Sequence, residues 1–323
     1  MSLLEVRDLH IRIDGHHLVR GVDLQIERGE CLALVGESGS GKSLTALSLM
    51  QLLPRHARCD FERWQFDGQS LLGTTEAQWR RLRASRIGMV FQNPMTALNP
   101  TMRVGDQIGE VLREHSRCSA REARRHALEL LERLGIVNAA KRARQYPFEL
   151  SGGMLQRAVI AMAVACKPAL LIADEPTTAL DVTVQAEVLA LLRELCRDQH
   201  VGLLLITHDL GVVEAMAEQV AVMYAGRIVE AGPCQAVLSQ PAHPYTRALQ
   251  QAMPRLDDRR DSLLAISGTP PDLSQQLNGC AFTPRCERAM QICPVRQPAV
   301  YAPSKARRCE CWLWEPQAQG AGR

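Results

Sequence analysis

Eight consecutive residues, Gly36-Glu37-Ser38-Gly39-Ser40-Gly41-Lys42-Ser43, satisfy the pattern G-x-x-x-x-G-K-[ST] at every fixed position. The apolar run Cys31-Leu32-Ala33-Leu34-Val35 before them reads as a buried strand. Leu44-Thr45-Ala46-Leu47-Ser48-Leu49-Met50 after them reads as a helix. A strand, a glycine-rich turn and a helix start in this order point to an α/β fold whose turn cradles phosphate. Gly36, Ser38, Gly39 and Gly41 let successive backbone N–H groups curl around phosphate oxygens, and the helix N-terminus adds partial positive charge. Lys42 can reach the β- and γ-phosphates and Ser43 can ligate Mg²⁺. A chance Gly/Ser-rich turn would lack the flanking strand and helix, so the chain is expected to bind a nucleoside triphosphate.

Composition narrows what that nucleotide can drive. Lys and Arg number 38 against 35 Asp and Glu, a net charge of +3, which argues against a nucleic-acid backbone as main partner. The opening residues carry Glu5, Arg7 and Asp8 where a signal peptide needs an apolar core. No apolar run approaches the ~20 residues of a spanning helix. The expected location is cytoplasmic, with any membrane role exercised through partners. Of 11 cysteines, Cys280, Cys286, Cys293, Cys309 and Cys311 crowd the C-terminal end. In a cytosolic chain such clustering suggests metal before disulfide.

Along the chain, residues 3–13 alternate as a half-exposed strand, Asp14-Gly15 turns, and 18–26 resumes the alternation. The stretch from Arg63 to Gly88 is polar and Arg-rich and reads as a solvated surface, followed by a core strand at 87–91 and a loop at 93–100. Ser119-Ala120-Arg121-Glu122 is a capping box opening a helix that Gly135 stops. Residues 101–166 contain no convincing strand and read as a helical insertion. Strands at 169–174 and 201–206 bracket a helix at 182–198. A hairpin forms around Ala225-Gly226, and 235–252 look helical. Beyond Met253 periodicity fades, and the tail 317–323 has a disorder-prone composition.

Two further stretches carry chemistry. The strand Leu170-Leu171-Ile172-Ala173 ends in Asp174 and Glu175. In a phosphate-loop protein the first acid holds the Mg²⁺ shell, and the second can take a proton from the attacking water. Ser151-Gly152-Gly153 opens a helix and can either cap it or bind a second phosphate group.

Together these residues resemble the nucleotide-binding subunits of ATP-binding cassette (ABC) transporters. Gly36 to Ser43 matches the family's Walker A motif, Gln92 its Q-loop and Leu150 to Gln156 its signature. Leu170 to Glu175 matches Walker B, Ala179-Leu180-Asp181 the D-loop and His208 the switch histidine. The resemblance implies an α/β phosphate-loop ATPase core of ABC type over residues 1–232. It has an antiparallel β-subdomain and an inserted helical subdomain at about 93–166. A Cys-containing extension follows at 233–323, with its cysteines at 280–311. It also implies a head-to-tail dimer that sandwiches ATP between one Walker A loop and the partner's Ser151-Gly152-Gly153. Glu175 would be the general base and His208 a γ-phosphate partner. Gln92 would sense γ-phosphate and Mg²⁺. The family's adenine-stacking aromatic is missing: its place falls near Ile13, with His10, His16 or His17 as possible substitutes.

The C-terminal part resembles oligopeptide, dipeptide and nickel importers, through Pro241-Ala242-His243-Pro244-Tyr245-Thr246-Arg247 and Asn278-Gly279-Cys280-Ala281-Phe282-Thr283-Pro284-Arg285-Cys286. This implies a peripheral subunit on the cytoplasmic face of the inner membrane. Its partners would be two permeases, a second related ATPase chain and, indirectly, an extracytoplasmic binding protein. Peptides are the first expectation for cargo and nickel the second. A soluble ABC ATPase of translation or DNA repair is the alternative of another class, but such chains usually carry two cassettes or a long coiled-coil insertion. Cys280, Cys286, Cys293 and Cys309 are separated by five, six and fifteen residues. That loose spacing, together with the resemblance, favours a [4Fe–4S] cluster over Zn²⁺, with Cys311 as an alternative fourth ligand and uncoordinated thiols as the remaining possibility.

Overall fold

The computed structural model describes residues 2–116, 118–178, 180–252, 266–275 and 277–316. Ala179 of the D-loop motif, residues 253–265 where the composition shift begins, and the tail 317–323 lie outside the described residues.

Strands β1 (Ser2–Ile13) and β2 (His16–Glu27) open the chain. The apolar alternation of β1 changes phase between Val6 and Leu9, where Asp8 takes a left-handed backbone (φ 50°). Asp14 and Gly15 both have positive φ, the requirement of a tight two-residue hairpin turn. β3 (Cys31–Val35) is buried throughout and feeds α1 (Lys42–Leu49). The Arg-rich surface stretch contains more order than its composition shows. Short strands β4 (Arg58–Asp60), β5 (Arg63–Phe66) and β6 (Gln69–Ser70) precede α2 (Glu76–Leu82), which Thr75 and Gln78 start with a capping box. β7 (Ile87–Val90) follows.

The helical insertion is as expected: α3 (Pro94–Ala97), α4 (Val104–Ser116), α5 (Ala120–Arg133), α6 (Ala139–Arg142) and α7 (Gly152–Val164). The Ser119–Glu122 capping box is present, and the loop at 93–100 contains the short α3, capped by Asn93. β8 (Leu170–Asp174), α8 (Val182–Gln199), β9 (Gly202–Thr207), α9 (Leu210–Met216), β10 (Gln219–Tyr224) and β11 (Arg227–Pro233) complete the cassette. The helix expected over 235–252 is two helices, α10 (Cys234–Ser239) and α11 (Pro244–Gln251). Pro241 and Pro244 cannot continue the first, and Pro244 opens the second. Near the end, β12 (Tyr301–Ser304) and β13 (Arg307–Cys309) form a ribbon that periodicity did not reveal.

The chain divides into two compact units. One holds Ile26–Cys31 and Phe66–Ile206 together with the start of the chain. In it β7, β8 and β9 run parallel, and β8 pairs both neighbours. Close packing is visible at Gly88, where a Cβ would stand 2.4 Å from the Ala163 carbonyl of α7. The other unit holds Leu4–Gln25, Leu32–Gln65 and the described residues from Thr207 onward. There β1 pairs β4 antiparallel, β3 runs parallel to β10, and β10, β11, β13 and β12 continue antiparallel. Its core joins Val35, Val222, Tyr224, Tyr245, Leu249 and Phe282, so residues on both sides of position 232 share one apolar cluster. Arg227 forks onto Glu310 at 2.7 and 3.0 Å, and Arg307 reaches the fully buried Glu230 at 2.6 Å.

His243 caps α11 by accepting the Tyr245 N–H on Nδ1 at 3.0 Å. The ring is buried, and burial lowers its pKa from 6.5 to about 3. The unfolded chain takes up a proton near pH 6.5 that the folded chain refuses until about pH 3. Across that window the unfolded state binds more protons, so stability falls as the pH falls. Denaturant unfolding from about pH 7 down to about pH 4 should show this loss, and His243→Asn, which keeps a capping oxygen without a titrating ring, should reduce its slope.

Candidate active site

The phosphate loop belongs to the second unit. Gly36 has a left-handed φ of 153°, and a Cβ there would stand 2.1 Å from the Met223 carbonyl of β10. Gly41 (φ 107°) has a backbone that favours glycine, and a Cβ there would press only on the movable Met223 Cε at 2.8 Å. Conformation favours glycine at both positions, and at Gly36 the space demands it too. Lys42 is buried and its ammonium donates to the Gly36 carbonyl at 2.8 Å and the Glu37 carbonyl at 3.0 Å, closing the loop on itself. Ser43 starts α1 beside it. Two residues without a role in the sequence reading also hold this loop. Tyr245 Oη accepts the Glu37 N–H at 2.9 Å, and Arg285 forks onto the Glu37 carboxylate.

His208 lies in the same unit, exposed beyond β9, on a cleft of about 910 Å³ also lined by Asp209, Glu214, Cys234 and Gln250. Asp209 caps α9 through the Gly211 N–H at 2.8 Å. Ile13, the expected adenine contact, ends β1 half-exposed. Close in sequence, His10 Nδ1 meets His17 Nε2 at 2.9 Å, and His10 Nε2 meets Asp8 Oδ1 at 2.9 Å. Burial first, then Arg12, His10 and further arginines, lower the His17 pKa to about 4, so its ring is neutral near pH 7. His16 is turned to the Ser274 carbonyl, 3.2 Å from Nδ1.

The first unit holds the acids and the signature. Asp174 is 5% exposed at the end of β8. Glu175, the next residue, has a left-handed backbone (φ 47°), and its N–H donates to the Ile206 carbonyl at 2.9 Å. This places its carboxylate off the strand, where Gln92 Nε2 donates to Oε2 at 3.0 Å and Thr178 Oγ1 donates at 2.8 Å. Gln92 and Glu175 are thus brought together, and Thr178 joins them without having been singled out by any motif. Ser151 caps α7, its Oγ accepting the Met154 N–H at 3.4 Å. A Cβ on Gly152 would meet nothing within 4 Å, whereas one on Gly153 would stand 2.8 Å from Val184 of α8. Asp181 caps α8 by accepting the Val184 N–H at 2.9 Å.

Mg²⁺ on a nucleotide is held by one or two protein oxygens plus phosphates and water, not by an all-protein cage. The Ser43 hydroxyl and the Asp174 carboxylate are donors of that kind. The cysteines are a different case. Among the described residues no three His, Cys, Asp or Glu side chains converge as one metal ion requires. This does not fit zinc, whose thiolates stand about 3.8 Å apart around 2.3 Å bonds. In a [4Fe–4S] cluster each thiolate binds a different iron, so its sulfurs stand farther apart. The Cys311 pKa is pushed up to about 12 by burial first, then by Cys280, Cys286 and Cys293. Cys309 lies on β13 opposite Glu230, and burial first, then Glu230 and Cys311, raise its pKa.

Residues 19–178 match the family described as ABC transporter, and residues 229–293 match the oligopeptide/dipeptide transporter C-terminal region. The dipeptide transport ATP-binding protein DppD of Bacillus subtilis is 45% identical, covering 99% of this chain and 97% of its own. The oligopeptide transport ATP-binding protein OppD of Salmonella typhimurium is 47% identical, covering 95% and 93%. The chain belongs to the ABC transporter family. Its activity is ATP hydrolysis. The solved dimer of the ATP-binding cassette MJ0796 in a post-hydrolysis state with ADP and Pi has a TM-score of 0.64 at 26% identity. It covers 72% of this chain and 98% of its own. The cbiO1 structure from Clostridium perfringens has a TM-score of 0.63 at 29% identity, covering 74% and 91%.

For this ABC ATPase the crowding at Gly36 gives a direct test. Gly36→Ala should drive the loop off the Met223 carbonyl and abolish the rise in melting temperature that ATP–Mg²⁺ produces in the natural protein. An unchanged ATP-dependent rise would show that the loop tolerates the Cβ.

Proposed function

We propose that this chain is the ATP-hydrolysing subunit that powers import of dipeptides or oligopeptides across the cytoplasmic membrane through partner permeases. The observation that carries the reading is the match of residues 229–293 to the oligopeptide/dipeptide transporter C-terminal region, in a chain that also carries the ABC cassette. Relatives named for dipeptide and oligopeptide transport, aligned over nearly their whole length, support it. Among the described residues no helix is long and apolar enough to cross a membrane. In this reading the chain docks on the cytoplasmic face of two permeases. An extracytoplasmic binding protein delivers cargo, and a second, related ATPase chain completes the nucleotide sandwich.

The reaction is in-line attack of water on the γ-phosphate. Gly36, Ser38, Gly39 and Gly41 present backbone N–H groups to the phosphates, and Lys42 supplies positive charge. Ser43, Asp174 and Gln92 would hold Mg²⁺, which when bound would supply neutralisation of charge on the phosphates. Glu175 accepts the water's proton, with Thr178 and Gln92 fixing its carboxylate. His208 donates to the γ-phosphate. Ser151, Gly152 and Gly153 contact the partner's nucleotide, and Asp181 fixes the helix start next to that interface. Glu175→Gln in the assembled transporter should retain ATP binding and lower hydrolysis by about 10²–10⁴-fold, because an amide cannot accept the proton. Near-normal turnover would remove Glu175 from the role of base.

We further propose that Cys280, Cys286, Cys293 and Cys309 hold a [4Fe–4S] cluster, with Cys311 as an alternative fourth ligand. The clustering of cysteines in this part of the chain and their loose spacing support it. A cluster would order a Pro-rich segment that buries little core of its own. Anaerobically purified protein should be brown, and Cys286→Ser should bleach it. A colourless protein with one zinc per chain would overturn the assignment.

A further inference from the structure

Glu37 is an anomaly in a loop built for phosphate. It is the second residue of the motif, its carboxylate is carried by the loop itself, and the ligand of that loop is a polyanion. A like charge so close opposes binding unless something neutralises it.

The neutralising group comes from far along the chain. Arg285 donates through Nη1 to Glu37 Oε2 at 2.6 Å and through Nη2 to Oε1 at 2.8 Å, a two-pronged pair between planar groups. The arginine side chain is 3% exposed and the glutamate 24%, so this is not a solvent-washed surface bridge. The guanidinium is itself fixed. Nε donates to the Ser267 carbonyl at 3.0 Å, Nη2 to the Ile266 carbonyl at 3.3 Å and Nη1 to Tyr224 Oη at 3.2 Å. It also lies 5.8 Å from the ring centres of Tyr224 and Phe282. The remaining polar atoms of Glu37 are taken as well: its N–H by Tyr245 and its carbonyl by Lys42. The carboxylate therefore has a set position and a paired charge.

We infer that Arg285 is a positioning residue for nucleotide binding: from the segment beyond the cassette it neutralises and holds Glu37, so that the phosphate loop accepts a triphosphate. This rests on the reading that residues 36–43 bind the phosphates. Arg285 touches Glu37, not the nucleotide, and acts through it. A simple packing staple and a charge-neutralising pair make opposite predictions for Glu37. Removing the acid from a staple weakens the loop, whereas removing it from a neutralising pair leaves a cation beside the phosphate site.

The test is equilibrium binding of fluorescent ATP and ADP analogues with Mg²⁺ to the full chain. Arg285→Gln should weaken ATP binding about tenfold, and ADP binding less, because the unpaired Glu37 repels the more highly charged ligand more. Glu37→Gln should bind ATP at least as tightly as the natural protein. The double variant Glu37→Gln/Arg285→Gln should return to within about threefold of it. Should Arg285→Gln fail to fold, Glu37→Gln and the double variant still decide. The inference is overturned if Glu37→Gln weakens ATP binding as much as Arg285→Gln does, if the double variant shows no recovery, or if Arg285→Gln binds ATP normally. Lys42→Ala should lose ATP binding in every background. If it does not, the reading of the loop itself fails, and this proposal with it.

Discussion

The phosphate loop keeps its curl because backbone occupies the space on its inner side. The Met223 carbonyl leaves no room for a side chain at Gly36. β3 and β10 must therefore lie side by side and parallel before the loop can form, and they do. Lys42 then ties the loop's own carbonyls, and Tyr245 takes a backbone N–H that the curl leaves unpaired inside the fold. A local motif thus depends on strand pairing and on a helix more than two hundred residues downstream in sequence.

Much of this was legible from residue order. The buried strands Cys31–Val35, Leu170–Asp174 and Gly202–Thr207 are apolar runs with few alternatives. The Ser119–Glu122 cap and the Ala225-Gly226 turn announce themselves through local chemistry. What escaped were elements whose stability is not local. β4 and β12 are three and four residues long, too short to show a strand pattern, and hold because partner strands pair with them. Helical composition over 235–252 concealed the break, because Pro241 and Pro244 act through sterics that a periodicity reading weights lightly.

The site divides the same way. Gly36, Lys42, Asp174 and Glu175 are readable as candidates because phosphate and water chemistry call for those residue types in a phosphate-loop chain, whereas Gln92 is readable only through the family resemblance. Thr178, Tyr245 and Arg285 are not, because a threonine, a tyrosine and an arginine in loops and helix starts have many ordinary uses. Their meaning appears only with the contacts to Glu175 and Glu37. The C-terminal cysteines stand between these cases. Their clustering is visible in the sequence, but spacing alone cannot separate Cys309 from Cys311, two residues away. Pairing of β13 with β11 takes Cys309 to Glu230.

ATP hydrolysis by this chain is spent on moving peptides. The ATPase rate of the complete transporter in lipid vesicles tests this, with its binding protein supplied empty, loaded with di- or oligopeptide, or offered nickel. A low basal rate should rise with peptide-loaded binding protein and accompany peptide uptake. A rate indifferent to peptide, or one raised by nickel alone, would contradict it.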